Sequence, residues 1–483
     1  MRRFVLPALL CALLAACSGG NDGPLEVALI GEADSTYASG LRLSGAAQHL
    51  RAAQSVGLVT LDPEGLVAPG LADRWIVTDE GRSYVFRLRD GDWPDGRALT
   101  ADSVRGVIRD RLRALDGTSL GLDLAPVREV RTMAEGVIEF RLSSPVPDFL
   151  QLLAQPEMAL TPTGTDSIPM TLYAPPQGQR ALDMAAPERR GLPTEDGWRN
   201  RVRRIALFVG DSEAATARFK DGEADIVLGG SLSDLPLAEV GPLSRGTVRL
   251  DPAIGLFGLH VVRAEGVLGD ATTREALSLA LDREALIAPF SIGGWVSATS
   301  VVPTALTSVP PRWDGIALDA RRGTAAARIA NFRAGGGSVG PLRVYLPEGP
   351  GSDIMFAQLA EQWLAIGVPA QRAADVASAD VVLRDRVARF GGARWFLNQF
   401  NCSVARGACS QAADALVEQS VGTADDTERR RLLGEAQVQF DATNVFIPLG
   451  APIRWSLVRG DVTGFAGNIW AFHPLPPLAE MPR

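Results

Sequence analysis

The chain has 483 residues, 46% of them apolar and 22% charged, with a formal net charge of −8. That length exceeds what one hydrophobic core usually fills, so two or more lobes are expected, and the composition excludes a disordered chain. An acidic balance without any Lys/Arg run argues against a nucleic-acid partner, because no counterion release would drive the binding.

The first residues set the compartment. Arg2 and Arg3 precede the apolar run Phe4 to Ala12, and Leu14-Ala15-Ala16 leads into Cys17. This resembles a bacterial lipoprotein signal, which implies removal of residues 1–16, lipidation of Cys17 and a flexible tether over 17–23. A transmembrane helix is the alternative, although the run is short for a bilayer, and no later segment reaches 18 consecutive apolar residues. The expected location is the periplasm or cell envelope, with a lipid holding the protein to a membrane that the sequence does not specify. In that compartment Cys402 and Cys409, within NCSVARGAC, read as a disulfide; zinc is the rival, with only two thiols and no nearby histidine.

Pro24 to Ile30 reads as a strand and residues 31–40 as a loop containing Tyr37. Trp75 and Val77, then Asp79-Glu80-Gly81, then Tyr84, Phe86 and Leu88 predict a hairpin with one buried face. Thr100 caps a helix with Val104, Val107, Ile108, Leu112 and Leu115 on one side, and Leu99 and Val104 have the spacing of a hydrophobic staple. A strand over 137–142 follows, then a loop-heavy crossing over 161–200. RRIALFVG, a helix ended by Gly222, and ADIVLGG alternate as in an α/β lobe. From Ala253 the chain changes lobes: LFGLHVV is a strand, and residues 270–287 predict one long helix with Thr272 and Glu275 as a capping box. PLRVYL is a strand, a Gly-rich loop over 349–353 leads to a helix from Ile354 to a stop at Gly367, and a helix over 427–440 precedes the strand VFIPLG.

Four short motifs in order, GLVTLDPEG, APGLADRW, the DEG turn with YVFRLRDG, and DGRALTADSV, resemble the signature of the family 5 extracellular solute-binding proteins. ARFKDGEADIV and the run Asp270, Arg274, Ala276, Leu277, Ala280, Asp282, Arg283, Glu284 match the same family. The resemblance implies an α/β, two-lobed periplasmic-binding-protein fold of type II, cluster C-like, with a hinge and an enlarged first lobe. Lobe I would be 24–256 with 457–483, and lobe II 257–456. It further implies capture of a small-molecule or short-peptide ligand between the lobes, delivery to an ABC permease, no catalysis and no cofactor or metal; a monomer is expected. A non-transport binding or sensing lipoprotein is the alternative, and an extracytoplasmic hydrolase a more distant one.

On the family's pattern, ligand contacts are expected from Tyr37, Ser352, Arg394, Trp395, Asn398 and Asn401. Peptide-binding relatives carry an Asp-Tyr-Pro-Asp-Pro-like element where this chain has Arg394-Trp395-Phe396-Leu397-Asn398, so an amine here would meet only neutral acceptors. Trp395 reads equally as a stacking surface or as core. At the Gly349–Asp353 loop, backbone N–H groups and Ser352 suit a substrate carboxylate, against which Asp353 reads as a plain helix cap. Gly336-Gly337-Ser338-Val339-Gly340 matches G-x-S-x-G but lies between a helix and a strand, the reverse of a nucleophile elbow. His49, His260 and His473 are scattered and form no ligand motif.

Overall fold

The computed structural model describes residues 23–163, 167–175, 178–239 and 246–481. Cys17 and the expected leader lie outside them.

Leu25–Ile30 (β1) leads into Ala33–Tyr37 (α1) and Gly45–Gln54 (α2), the latter capped by Ser44. The sequence predicts only a loop where α1 forms. The Ser35 and Thr36 hydroxyls donate to the Glu32 carbonyl and close the extra turn.

The signature stretch builds a subdomain of its own. Val59–Leu61 (β2) pairs with Val67–Pro69 (β3), and Ala72–Thr78 (β4) turns through Asp79–Gly81 into Ser83–Leu88 (β5). Ala101–Ala114 (α3) and Ser119–Leu124 (α4) intervene before Val127–Ala134 (β6) and Val137–Leu142 (β7), which complete an antiparallel sheet of order β4-β5-β7-β6. Thr100 and Ser103 form the capping box of α3, and Leu99, Val104 and Ile108 join Tyr84, Phe86, Phe140 and Phe149 in one core. Val77, which the hairpin alternation turns inward, is 47% exposed because it stands near the end of the edge strand β4. Phe149–Leu153 (α5) closes this unit.

The loop-heavy crossing supplies two strands, Met170–Tyr173 (β8) and Arg180–Met184 (β9). Ile205–Gly210 (β10), Ser212–Asp221 (α6), Ile226–Ser231 (β11), a 3-10 segment Leu232–Ala238, and Val248–Asp251 (β12) follow. β1 lies between β10 and β11, parallel to both, with Leu25, Val27 and Leu29 in the core on one face of the sheet and Ala28 and Ile30 on the other, as a central strand requires.

The second sheet begins with Gly255–Val261 (β13). The predicted single helix over 270–287 is two, Ala271–Leu279 (α7) and Arg283–Ile287 (α8), because Asp270 caps the first and Asp282 caps a second start. Glu275 is no box partner; it binds Arg312, Arg328 and Trp313 instead. Leu318–Ala334 (α9), Leu342–Tyr345 (β14) and Pro350–Ala365 (α10) follow. α10 starts four residues before the expected Ile354: Gly349 is its N-cap, Pro350 its first residue, and Asp353 caps nothing. Ala370–Arg372 (β15), Val381–Val387 (β16), Ala393–Asn398 (α11), Gln411–Gly422 (α12), Asp426–Thr443 (α13) and Phe446–Gly450 (β17) complete a sheet of order β15-β14-β16-β13-β17.

Arg454–Val458 (β18) then returns to the first sheet, whose order is β12-β18-β11-β1-β10-β9-β8, and Leu475–Leu478 (α14) packs beneath it. The chain thus crosses between sheets through residues 252–254 and 451–453, and β12 pairs with β18 right beside both crossings, Asp251 opposite Arg454. The sequence divisions at 256/257 and 456/457 fall within β13 and β18.

Candidate functional site: the seam between the lobes

Two sheets joined by adjacent crossings make a hinge, and the surfaces that meet beyond it form the candidate site. One contact is a close backbone fit. Leu232 and Ser233 of the first lobe press on the first turn of α10, where a Cβ on Gly351 would stand 1.9 Å from the Leu232 carbonyl oxygen. Ser352 is fully buried there and its hydroxyl lies 3.1 Å from that of Ser233. The N-terminus of α10 is therefore engaged by the opposite lobe.

A second contact is polar. Arg394, in α11, donates to the Asp123 carbonyl of α4 at 2.7 Å, and Asn398, one turn further along α11, donates to Asp123 Oδ1 at 2.7 Å. All three side chains are buried, and Asp123 Oδ2 has no partner among the described residues. Burial pushes the Asp123 carboxyl up to about 6 against the pull of Arg394, and burial lowers Arg394 as well. Neither charge fully compensates the desolvation of the other. Asp148 is raised by burial too, with Arg394 opposing.

The third contact centres on Glu157, in the turn after α5. Its Oε1 accepts from Arg389 of the second lobe at 2.6 Å and from Gln48 of α2 at 3.3 Å. α2 and α3 both pack on this turn, bringing Arg51 and Arg111 beside it. Asp385 and Arg454 add an ion pair at 2.8 Å beside the hinge.

Of the residues expected to touch ligand, the fold brings only Arg394 and Asn398 onto a common partner. Trp395 is core: it is 1% exposed and packs edge-on against Phe396, although its Nε1 lacks a partner among the described residues. Tyr37 ends α1 half-buried, with the Arg180 guanidinium 3.9 Å over its ring and burial raising its phenol. Asn401, just before the loop that the Cys402–Cys409 disulfide closes, accepts from the amide and hydroxyl of Ser403 within it. Asp123 and Glu157 escaped the sequence reading. Their signal was available: each is a lone carboxylate in an apolar run, LGLDLA and QPEMAL, where an acid needs a reason.

The family described as bacterial extracellular solute-binding proteins, family 5 Middle, matches residues 67–179 and 195–375. The chain belongs to this family. Among the relatives of this family 5 protein, the periplasmic oligopeptide-binding protein OppA of Salmonella typhimurium is 24% identical over 464 residues, spanning 85% of this chain and 84% of that one. The Haemophilus influenzae OppA complex with RPPGFSPFR superposes with a TM-score of 0.77 at 17% identity, over 95% of this chain and all of that one. AgaA of A. tumefaciens R10 in complex with agropinic acid gives 0.69 at 17% identity, over 95% of this chain and 98% of that one. These likenesses establish the two-lobed α/β fold. The relatives are periplasmic binding proteins of transporters rather than enzymes, and this chain is a family 5 solute-binding protein of the kind that serves ABC importers.

Ser338 lies in the loop from α9 to β14, so its motif has helix before strand. His260 is buried under Phe400, its Nε2 lying 2.8 Å from the Ala408 carbonyl. His49 and His473 do meet, far from one another in sequence, but they lock α2 to the C-terminal segment, with His473 also 3.1 Å from Asp251. Among the described residues no three His, Cys, Asp or Glu side chains gather where they could hold a metal ion, and no helix is long and apolar enough to cross a membrane. A hollow of about 570 Å³ bounded by Asp183, Trp198, Arg199, Arg203 and Arg204 lies on the β9–β10 side of the first sheet, away from the seam.

Proposed function

We propose that this chain is the lipid-anchored, extracytoplasmic receptor of an ABC importer, and that it captures a peptide-like or other small organic solute between its lobes. The lobes divide at the two crossings, 252–254 and 451–453, a few residues ahead of the sequence divisions at 256/257 and 456/457, and Cys17 carries the lipid. A solute touching both lobes stabilises the form in which they meet, and a permease that recognises that form receives loaded protein in preference to empty protein. The observation that carries the reading is the seam: polar side chains from α4, the turn after α5 and α2 on one side and α11 and Arg389 on the other, held by a hinge of two adjacent segments. No covalent step or cofactor enters.

Native mass spectrometry of the protein purified from its host tests this directly. A retained small molecule, together with a smaller radius of gyration in its presence, is expected. A radius of gyration that no solute in a broad screen alters, with no thermal stabilisation, would refute capture by closure.

A further inference from the structure

The charges in the seam do not balance. Glu157 is matched by Arg389 and Asp385 by Arg454, while Asp123 and Asp148 feel the attraction of Arg394, whose hydrogen bond goes to the Asp123 backbone carbonyl. Arg51, Arg111 and Arg386 have no carboxylate within ion-pair distance among the described residues; Arg51 donates to the Gly40 carbonyl and Arg386 to the Gln399 side chain. Arg431 on α13, by contrast, bridges both Glu428 and Glu435. In a protein of net charge −8, unpaired arginines gathered at one seam are a local reversal of sign.

Their positions give the reversal a purpose. Gln48 reaches Glu157, and Arg51 lies one turn further along the same face of α2. Arg111 sits in the last turns of α3, which packs on the same Glu157 turn. Arg386 projects from the end of β16, three residues before Arg389, and remains exposed to solvent although protein surrounds it. Each lobe thus brings like charge to the seam. Burial works against the charge at Arg51 and Arg111, and beyond it Arg51 is repelled by Arg111 on the first lobe and Arg386 by Arg389 on the second. Closing an empty cleft concentrates this repulsion, and closing it on an anion relieves it.

We propose that the cleft takes an anionic solute whose carboxylate or phosphate oxygens bridge Arg51 and Arg111 of the first lobe to Arg386 of the second. The proposal rests on the receptor reading and adds the chemical class of the cargo. Arginine suits the task because its planar donors pair two at a time with either kind of oxyanion.

The test uses the full-length protein in neutral detergent. Thermal shift and calorimetric titration are run with Ala-Glu-Ala-Glu, Ala-Gln-Ala-Gln and Ala-Lys-Ala-Lys, and with citrate and glycerol 3-phosphate to separate carboxylate from phosphate. Stabilisation by one or more of the anionic probes, weakened in 0.5 M salt, is expected, with none from the neutral or lysine peptides. Arg386→Gln and Arg51→Gln should each weaken anion binding roughly tenfold or more while leaving the unliganded melting temperature unchanged or higher. Arg113→Gln, on the outward side of α3, should change neither. Stronger binding of the neutral or lysine peptide overturns the anionic class and leaves the receptor reading standing. Silence from every anion overturns the class as well. Silence from all solutes, whatever their charge, removes the receptor reading with it.

Discussion

Replacing Asp123 with Asn tests the energetics of the seam, and two opposite expectations meet there. Asp123 is wholly buried where α4 meets α11, with Asn398 on one oxygen and, among the described residues, no partner on the other. Its carboxyl stands at about 6 rather than 3.8, so above pH 6 the fold holds a charge it would rather have neutral. The unfolded chain releases this proton near pH 4, so native stability attributable to Asp123 falls as pH rises from about 4 to about 6. A shift of about two units corresponds to roughly 3 kcal/mol at pH 8. Asp123→Asn mimics the protonated state: the amide oxygen still accepts from Asn398, and Arg394 keeps its bond to the backbone carbonyl. The variant should therefore melt a few degrees higher than wild type at pH 8 and equal it near pH 3.5. Scanning calorimetry at pH 3.5, 5, 6.5 and 8 supplies the measurement. Breaking a buried ion pair more often destabilises by about 3–5 kcal/mol. A lower melting temperature at pH 8 would mean that attraction to Arg394 outweighs burial, and would refute the reasoning.

His49 carries the opposite sign: burial first, then repulsion from His473, lowers it to about 4. The unfolded chain binds its proton below about pH 6.5, so stability is lost as pH falls from there toward 4, by up to roughly 3 kcal/mol; in His49→Gln the acid-limb slope should flatten, and an unchanged slope between pH 6.5 and 4 would count against the assignment. Gly351→Ala places a methyl against the Leu232 carbonyl, so the lobes must part by more than an ångström or strain by about 1–3 kcal/mol. Small-angle scattering should show a larger radius of gyration and titration a 5- to 100-fold loss of ligand affinity; a compact variant with intact binding would show that this contact does not gate closure. Removing the Cys402–Cys409 disulfide by a double Ser substitution should cost about 2.5 kcal/mol from loop-closure entropy, read as a lower thermal midpoint.

What the sequence revealed follows the range of the forces involved. The hairpin at 72–88 and the helix after Thr100 were legible because period-two and period-3.6 patterns and a cap are written within a few residues. The break in the 270–287 helix was misread because Ala, Leu and Glu continue the helical pattern through it; only the cap made by Asp282 ends it. The seam was least legible. Asp123 and Asn398 are 275 residues apart, and neither residue type announces the other. Trp395 shows the same limit: a tryptophan beside an arginine reads equally as pocket or core, and only packing against Phe396 decides.

The position of β18 has a consequence for how the molecule is made. This strand lies between β11 and β12 in the first sheet, yet it is synthesised after the entire second lobe. Until residues 454–458 are available, β11 has an unpaired edge and β12 has no neighbour at all. The second lobe needs only its own 255–450, a continuous stretch, to complete its sheet. Assembly should therefore run inward from the insertion, with the lobe that begins the chain the last to become whole. Hydrogen exchange during refolding should show β16 and β13 protected before β11 and β12.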